Sequence, residues 1–280
     1  MLKNIIPLNF RKSVIKIIFV VNSTGMAKFI DDLKVIENKR LNNDFFVLEL
    51  SGNNKIPAFK PGQFAQVKVD DSPDTFLRRP ISIHDVDYKK NSFKILIQIV
   101  GKGTEKLSHL ENGHTLNLIY PLGNSFSIPG PNEKVLIVGG GCGIAPLLFL
   151  GKYFKEHGCI PDILLGFRNS ARIIEFEEYR EIGEVFVTTE DGSMGEKGYV
   201  TRHSVLSERK YDRICCCGPE VMMKAMAAYS KKRGIICEVS LENLMACGIG
   251  ACLCCVVDTV KGNLCTCIDG PIFNINDLKW

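Results

Sequence analysis

The segment VLIVGGGCGIAPLLFLGKYFKEHG, from Val135 to Gly158, changes its periodicity at the glycines. Four consecutive apolar residues precede the glycines, as in a buried strand, and the apolar residues after Ile144 recur at helical spacing. A strand, a glycine turn and a helix in this order predict the first unit of a parallel sheet. Strands and helices continue to alternate as far as Gly234, so we expect a doubly wound α/β sheet with right-handed crossovers that closes there.

The sequence before this segment, between about Asp31 and Ser127, has a different pattern of apolar and polar residues. Short runs of alternating apolar and polar residues are separated by Gly, Pro and Asn, which is typical of an antiparallel sheet that closes into a barrel. The predicted strands are Phe45–Leu50, Gln63–Val69, Pro80–Ile83, Phe93–Val100 and Thr115–Tyr120. In this mostly β region a helix is expected only from Thr104 to Leu110.

The chain is therefore expected to be multi-domain. The predicted parts are an extension at 1–27, an antiparallel β-barrel at 28–130, an α/β domain with a parallel sheet at 131–238, and a small cysteine-rich domain at 239–280. Lengths of this order are ordinary for separate domains, whereas one small core rarely organises 280 residues.

The N-terminal stretch Lys12–Asn22 has the crude outline of a signal peptide. Its apolar core of about eight residues contains Lys16 and is far shorter than a bilayer span requires. We therefore expect neither export nor a membrane span. Whether residues 1–25 are translated stays open, with Met26 as the alternative start.

Composition narrows the classes of function. With 45% hydrophobic and 24% charged residues, the chain has enough apolar surface to fold. Its net charge of +4 is too small for the basic stripe that nucleic-acid binding requires. Twelve cysteines in a chain of this length indicate reduced thiols or metal ligation, so we expect a cytoplasmic protein. No histidine forms a readable triad, so we assign no catalytic residue and exclude a hydrolase.

Six of the twelve cysteines lie in the last part of the chain. Four of these follow the spacing C-x4-C-x2-C-x11-C: Cys247, Cys252, Cys255 and Cys267. This spacing is typical of a plant-type [2Fe–2S] cluster, with three thiolates from one glycine-containing loop and the fourth from a later strand. Structural zinc is the alternative, although zinc ribbons favour two separated C-x2-C pairs and this tail has no histidine. We interpret Cys254 and Cys265 as bystanders.

Two short motifs in the barrel region have the chemistry of an anion site. Arg78-Arg79-Pro80-Ile81-Ser82 places a guanidinium and a hydroxyl where they could hold a pyrophosphate. Gly101-Lys102-Gly103-Thr104 opens the expected helix, where backbone N–H groups are available to an anion. The first motif alone also describes any exposed basic pair at a sheet edge, and it gains weight only because the second lies in the same barrel.

Glycine-rich turns after two predicted α/β strands indicate a nucleotide site. Gly139-Gly140-Gly141-Cys142-Gly143 follows the first strand and Cys217-Gly218-Pro219 follows a later one. At the carboxyl edge of an open sheet, such turns let backbone N–H groups approach a phosphate. The first turn departs from G-x-G-x-x-G, and no ribose-binding acid follows at the usual distance, so close packing is the alternative. Arg168 after the next strand leaves NADP(H) open beside NAD(H).

Taken in order, these motifs resemble the ferredoxin–NADP⁺ reductase superfamily over about Asp31 to Phe273. Within it, LRRPISI, the segment DGSMGEKGYVT (Asp191–Thr201) and MACGIGAC through CIDGPIF (Met245–Phe273) are similar to the electron transfer subunits of dihydroorotate dehydrogenase B. The resemblance implies FAD in the barrel domain, NAD(H) on the α/β domain and one [2Fe–2S] cluster in the C-terminal domain. It also implies a separate FMN-containing catalytic subunit, which oxidises dihydroorotate in pyrimidine biosynthesis, in a heterotetramer with two copies of each chain.

Residue roles follow from the resemblance. It assigns FAD to residues of two strands and the helix start: Arg79, Pro80, Ile81, Ser82, Leu96, Ile97, Gln98, Gly103 and Thr104. The NAD(H) contacts are expected on the glycine-rich turns: Gly139, Gly140, Gly141, Gly143, Cys217, Gly218 and Pro219. The four spaced thiolates would hold the cluster, and the family usually has a small residue where Cys254 lies. Electrons would pass from dihydroorotate through FMN, the cluster and FAD to NAD⁺.

Two other functions stay open at this point. A subunit of the same architecture could serve another partner, as in an NADH-dependent ferredoxin–NADP⁺ oxidoreductase or a sulfide dehydrogenase. From a different class, the chain could be a non-catalytic regulatory protein whose tail holds zinc. The cofactors that the resemblance implies explain why the sequence shows no set of acid–base catalytic residues. FAD itself converts between hydride transfer and single-electron transfer.

Overall fold

The computed structural model describes residues 27–70, 72 and 74–280. The expectations for the signal-like stretch, for the translation of residues 1–25 and for the N-terminal extension fall outside this part of the chain, apart from residue 27. Within it, each helix is too short or too polar to cross a membrane.

A closed antiparallel barrel forms the first half of the described chain, as the sequence predicts. Its strands are β1 (Phe29–Arg40), β2 (Phe45–Ser51), β3 (Phe64–Val67), β4 (Arg79–Asp87), β5 (Ser92–Gln98) and β6 (Thr115–Leu122). Around the barrel the order is β1-β2-β5-β4-β3-β6, and β6 closes back on β1. The predicted helix is also confirmed, as α1 (Lys102–Ser108) between β5 and β6.

Within the barrel, β1 is the strand that the sequence patterns do not predict. Leu33 and Val35 are buried in the barrel. Asp32, which precedes Leu33, and Lys34, which lies between the two, are exposed, so the alternation is present. Charged residues make up much of its solvent face, and the short alternating run does not stand out from a polar opening segment.

Alternation along β3 gives this short strand two different faces. Ala65 and Val67 are fully buried in the core of the barrel. Phe64 instead packs outside the barrel against Met245 and the cysteines of the C-terminal region. Because side chains two residues apart share a face of a strand, Gln66 lies on the same outer face as Phe64.

The second half of the described chain is an α/β sheet. Its strands are β7 (Val135–Gly140), β8 (Asp162–Phe167), β9 (Val185–Thr189), β10 (Glu196–Lys197), β11 (Arg213–Cys217), β12 (Ile236–Ser240) and β15 (Ile272–Asn274). The order across the sheet is β10-β9-β8-β7-β11-β12-β15. Its helices are α2 (Leu147–Glu156), α3 (Phe176–Arg180), α4 (Val205–Glu208) and α5 (Glu220–Arg233). The pairings from β10 to β12 are parallel, as predicted.

The sheet does not close near Gly234, which corrects the sequence-based expectation. β12 follows α5 and pairs with β11, and β15 then adds an antiparallel edge that comes from the cysteine-rich tail. The expected domain boundary after residue 238 therefore falls inside β12. Apolar Cys237 and Val239 are buried on this strand, but five residues with one glutamate give too weak a pattern to place it.

The cysteine-rich tail contains a hairpin of β13 (Val256–Thr259) and β14 (Gly262–Cys265). Cys255 immediately precedes the hairpin and Cys265 ends it. Cys267 lies in the turn two residues after β14, so the expectation that the fourth thiolate comes from a strand is wrong. A turn suits this thiol better, because its side chain can reach back to the loop that carries the other cysteines.

Polar contacts connect the barrel to the sheet and to the cysteine-rich tail. His84 of β4 has its Nδ1 atom 2.7 Å from the carbonyl oxygen of Ala145 and its Nε2 atom 2.8 Å from a carboxylate oxygen of Glu175. The side chain of Asn124 donates to the carbonyl oxygens of Asp269 and Ile272, both at 2.8 Å. The barrel is thus tied both to the α/β sheet and to the cysteine-rich tail.

Candidate cofactor sites

The glycine turn after β7 touches the turn after β11. A methyl carbon built on Gly143 would lie 2.4 Å from the carbonyl oxygen of Cys217 and equally close to the backbone of Gly218. Only glycine permits this approach, and Gly141 in the same turn has a φ of 55°, a left-handed conformation that favours glycine. The two turns together form one surface at the carboxyl edge of the sheet, where open α/β sheets bind ligands.

A cavity of about 610 Å³ opens at this edge. It is lined by five of the residues predicted to contact NAD(H): Gly140, Gly141, Gly143, Gly218 and Pro219. Gly139 does not line it, because it lies inside the sheet, where an added methyl carbon would come 2.9 Å from Ile144 and 3.0 Å from Leu147. Close packing, the alternative that the sequence leaves open, is thus the whole account of Gly139, whereas Gly140 and Gly143 are closely packed and also line the cavity.

Other residues of this cavity lie outside the glycine-rich turns. Thr188 and Glu190 come from the end of β9 and the turn after it, and Tyr199 and Thr201 come from a short turn further on. The hydroxyl of Thr188 is buried and has no hydrogen-bond partner among the described residues. Arg168 also lines the cavity and is exposed. Two sequence signals point to this group: β9 ends at the same sheet edge as β7, and Tyr199 and Thr201 belong to the segment Asp191–Thr201 that carries the family resemblance.

A second cavity of about 600 Å³ lies between the barrel and the sheet. It brings together seven of the residues predicted to bind FAD: Arg79, Pro80, Ile81, Ser82, Leu96, Gln98 and Thr104. Ile97 and Gly103 are not among them, and the side chain of Ile97 packs in the barrel core. Strand alternation explains the difference, because Leu96 and Gln98 face the cavity and Ile97 faces the other way.

The two arginines before Pro80 have different roles. Arg79 lines the second cavity, and a methyl carbon on Gly103 would lie 3.2 Å from its Nε atom, so the glycine makes room for the guanidinium beside α1. Arg78 is half-buried and already hydrogen-bonded, because it donates to the carbonyl oxygens of Asn117 at 3.0 Å and Gln66 at 3.2 Å. Arg79 is therefore the arginine available to an anion.

Cys217 lines a different cavity from its neighbours in the turn. Its side chain lines the second cavity, whereas Gly218 and Pro219 line the first. Burial raises the pKa of the Cys217 thiol well above its usual value, and its sulfur is hydrogen-bonded by Ser240. The residue is therefore a neutral thiol at the second cavity, apart from the first cavity, where Gly218 and Pro219 lie.

The two cavities meet at three shared residues, Gln98, Cys142 and Glu242. Burial raises the pKa of the Glu242 carboxyl, and it also raises the pKa of the Cys142 thiol to about 12, with the charge of Glu242 adding to the shift. Cys142 is thus a neutral thiol at pH 7. Ligands filling both cavities would come into contact here, which the sequence does not indicate because Glu242 follows β12 in an unmarked loop.

The four spaced cysteines lie together in the tail, and their contacts group them as two pairs. Cys252 contacts Cys247 through its thiol, and Cys255 contacts Cys267, with the thiol of Cys265 as a further neighbour of Cys255. Cys255 and Cys267 are buried, while Cys252 is exposed. In a two-iron cluster each iron takes two thiolates, so two pairs of thiols suit this donor set.

Backbone N–H groups point at these sulfurs. Gly250 donates to the Sγ atom of Cys267 at 3.2 Å, Ile249 to that of Cys247 at 3.4 Å, and Cys267 to that of Cys255 at 3.4 Å. Burial raises the pKa of the Cys247 thiol, but the N–H groups around it more than compensate and bring the pKa to about 7. Donors aimed at sulfur suit anionic thiolates, so the loop fits an iron–sulfur cluster.

The two predicted bystanders differ from each other. Cys254 is exposed, and it lies on the loop between Cys252 and Cys255. Cys265 is buried, and burial followed by the charge of Cys255 raises the pKa of its thiol. Cys265 is therefore a neutral thiol in contact with the cluster ligands, closer to the site than the sequence indicates.

The second cavity extends to the cysteine-rich loop. Met245 lines this cavity, and it lies two residues before Cys247. Phe64 lines the cavity as well, and it packs in one apolar cluster with Met245, Cys255 and Cys267. The first cavity, the second cavity and the cysteine loop therefore follow one another across the molecule.

Comparison with known proteins agrees with this arrangement. The family model for the iron–sulfur cluster binding domain of dihydroorotate dehydrogenase B matches residues 242–279. A solved NADH-dependent reduced ferredoxin–NADP oxidoreductase has 31% sequence identity and a TM-score of 0.80, and the match covers 89% of this chain and 90% of the other.

Two relatives that share one name with each other are more similar to this chain in sequence than that oxidoreductase is. The dihydroorotate dehydrogenase B (NAD⁺) electron transfer subunit of Clostridium acetobutylicum is 40% identical over 86% of this chain and 93% of its own length. That of Caldanaerobacter subterraneus is 42% identical over 86% of this chain and 94% of its own length. The chain therefore belongs to the family of dihydroorotate dehydrogenase B electron transfer subunits.

Proposed function

We propose that this chain passes electrons between a catalytic partner subunit and NAD⁺, using a [2Fe–2S] cluster and FAD. One observation carries the proposal: the two cavities share Gln98, Cys142 and Glu242, and the second cavity reaches Met245 beside the cysteine loop. FAD, when bound, exchanges a hydride with nicotinamide and single electrons with an iron–sulfur cluster. An order of nicotinamide site, flavin site and cluster loop is the order that this conversion needs.

FAD is proposed to occupy the second cavity. Arg79 and Ser82 of β4, which both line this cavity, would hold the pyrophosphate by charge-assisted and hydroxyl hydrogen bonds. Leu96 and Gln98 of β5 would line the ring side, and Thr104 stabilises the start of α1 by accepting from the N–H groups of Val100 at 2.9 Å and Gly101 at 3.2 Å.

NAD(H) is proposed to occupy the first cavity, on the paired turns after β7 and β11. Gly140, Gly141 and Gly143 leave the backbone open to phosphate, and the unpartnered hydroxyl of Thr188 is available to the ligand. Cys142 and Cys217 stay neutral because their pKa values are raised by burial, so neither thiol adds a charge or a nucleophile at the junction. The protein positions its ligands there and excludes water.

The cluster is proposed to be held by the thiolates of Cys247, Cys252, Cys255 and Cys267. The division of the chain proposed with it is a barrel at 28–130, an α/β domain from 131 and a cluster domain to 280. We place the last boundary after Ser240, where β12 ends, in place of residue 238.

The proposed partner is an FMN-containing catalytic subunit that oxidises dihydroorotate, in an assembly with two copies of each chain. Large apolar side chains are exposed around the cluster loop: Leu244 (82%), Leu253 (64%), Ile268 (44%) and Ile249 (42%). Such side chains around the exposed thiol of Cys252 are suited to a surface that a partner covers. The described cysteines are all free, which fits the proposed work in the reducing cytoplasm.

Substitution of one exposed thiol tests the cluster assignment. We expect Cys252→Ser to lose the iron, about two per chain in the native protein, and to slow electron transfer to the partner by more than about tenfold. Reduction of FAD by NADH should stay within about twofold, since Cys252 lies outside both cavities. Iron analysis, visible absorption and stopped-flow reduction measure these effects.

The matched control is Cys254→Ser, which changes an equally exposed thiol on the same loop. It should keep the iron content and the rate of electron transfer. Loss of half the iron in the control would contradict the ligand assignment, and equal loss of flavin reduction in Cys252→Ser would contradict the separation of the sites. Colourless protein without iron would support the zinc alternative.

A second partner has one observation in its favour. The NADH-dependent ferredoxin–NADP oxidoreductase is 31% identical and shares the fold, but the dihydroorotate dehydrogenase subunits are 40–42% identical. Purification of the chain from its own cells distinguishes the two, because the first proposal requires an FMN-bearing subunit with dihydroorotate activity to copurify.

A further inference from the structure

The carboxamide of Gln66 is a buried polar group without a partner. The residue is 0% exposed, and neither its Nε2 atom nor its Oε1 atom makes a hydrogen bond to any described residue. Burying an amide without hydrogen bonds costs free energy, and such groups in native proteins are nearly always satisfied. A partner that belongs to the working protein is therefore expected at this position.

None of the described side chains around this amide accepts a hydrogen bond from it. Gln66 lies on the outer face of β3, with Phe64 two residues away on the same face. Phe64 belongs to an apolar cluster with Leu122 and Met245, and Ile119, the strand neighbour of Gln66, packs against that cluster. Arg78 donates to the carbonyl oxygen of Gln66, but a guanidinium cannot accept a hydrogen bond. The same apolar cluster contains cysteines of the cluster site, so we seek the acceptor among the sulfurs there.

Gln66 touches the cluster loop directly. A methyl carbon built on Gly248 would lie 2.7 Å from the Cγ atom of Gln66 and 3.1 Å from its Nε2 atom. Gly248 has a φ of 71° and follows Cys247, the first proposed ligand. The glycine therefore leaves space for the amide nitrogen beside the first ligand of the loop.

We infer that the side-chain amide of Gln66 donates a hydrogen bond to a sulfur of the iron–sulfur cluster on its Cys247 side, and that it is a positioning residue for this cluster. An amide has two N–H donors, and the sulfurs of such a cluster accept hydrogen bonds. The inference rests on the proposed ligand role of Cys247. The strand pairs Gln66 with Pro80 of the flavin cavity, so the residue lies between the two cofactor sites.

This bond favours the reduced cluster. Reduction adds negative charge to the sulfurs, and a hydrogen-bond donor stabilises the more negative form more strongly. Removal of the donor should therefore lower the reduction potential of the cluster. FAD should keep its potential, because the side chain of Gln66 does not line the second cavity.

Gln66→Met tests the inference in the complete complex, purified without oxygen. Methionine keeps the length of the side chain and has no N–H group. We expect about two irons per chain, an unchanged FAD potential, and an equilibrium constant for one-electron reduction of the cluster that is about tenfold lower, which corresponds to about 59 mV. A redox titration followed by electron paramagnetic resonance measures the shift.

Gln63→Met is the matched control. Its carboxamide lies three residues away and is already satisfied by the N–H of Lys60 at 2.8 Å and the carbonyl oxygen of Gly123 at 3.3 Å. This variant should unfold more easily while the cluster keeps its potential. A purely structural effect of losing a buried glutamine would shift both variants alike and would overturn the inference.

Isotope labelling gives a direct readout that does not depend on a variant. The chain has three glutamines, so ¹⁵N in glutamine side chains marks few sites. The reduced native cluster should show hyperfine coupling to this nitrogen, and the coupling should persist in Gln63→Met. Absence of the coupling in the native protein overturns the inference, as does an unchanged potential in fully loaded Gln66→Met, the result expected if water satisfies the amide. Native protein without iron would instead contradict the cluster assignment itself.

Discussion

At the scale of single residues, the direction of each side chain decides which sequence assignments become contacts. Leu96, Ile97 and Gln98 are consecutive on β5, yet Ile97 points into the barrel. Gly139 and Gly140 are also neighbours, and only Gly140 reaches a cavity. The motif identifies the segment, but a strand or turn exposes only part of it.

Gly143→Ala tests the contact between the two turns of the nicotinamide cavity. The added methyl group would meet the Cys217 carbonyl at 2.4 Å, so the turns must separate. We expect the free energy of unfolding to fall by about 1–3 kcal/mol, as for other overpacked sites, and the Kd for NADH to rise at least about tenfold. Thermal unfolding and titration with NADH measure both.

The control for this substitution is Gly101→Ala. A methyl carbon there has no atom within 4 Å, and the extended φ of 177° suits alanine. Its melting temperature should stay close to that of the native protein. Equal loss of stability in both variants would show that the tight contact at Gly143 is not the cause.

At the scale of elements, His84 joins the barrel to the α/β sheet. It reaches Ala145, which lines the flavin cavity, and Glu175 at the start of α3, and its side chain is 0% exposed while that of Glu175 is 9% exposed. This contact connects the elements that carry the two cavities. It has no sequence motif, because the partners are 61 and 91 residues away from His84 in the chain.

His84→Ala should lower the free energy of unfolding by about 3 kcal/mol, because it leaves Glu175 buried without its partner. Lys152→Met is the control at the same interface, since Lys152 pairs with Asp85 at 2.7 Å but is 37% exposed. It should cost less than about 1 kcal/mol. Chemical denaturation of both variants gives the comparison, and similar losses would contradict the special role of the buried pair.

The elements also show where the sequence is sufficient and where it is not. Five barrel strands and four strands of the parallel sheet, β7, β8, β9 and β11, follow from local periodicity. β1 is missed because its charged face hides a short alternation, and β15 is missed because a three-residue strand from a cysteine-rich tail has no periodicity to detect. The cysteine spacing predicts the cluster site. The positions of Thr188, Glu242 and Gln66 at the sites cannot be predicted from the sequence, because they depend on contacts that form only in the folded chain.

At the scale of the whole molecule, the proposed docking face surrounds the cluster loop. Leu253→Asp places a charge among exposed apolar side chains there, so we expect the Kd for the catalytic subunit to rise about 10- to 100-fold. Ile160→Asp is the control, because Ile160 is 70% exposed but precedes β8, at the opposite edge of the sheet from the cavities. Analytical ultracentrifugation measures assembly, and equal weakening by both variants would contradict the assignment of this face.

The unequal exposure of the paired thiols gives the metal centre an inner and an outer side. Cys255 and Cys267 are shut away from solvent, while Cys252 is open to it. Oxygen or a chelator arriving from outside would therefore attack the same iron first. In the isolated subunit only the Cys252 side of the cluster is open to such attack. Binding of the catalytic subunit would cover this side and bring the cluster within electron-transfer distance of its partner.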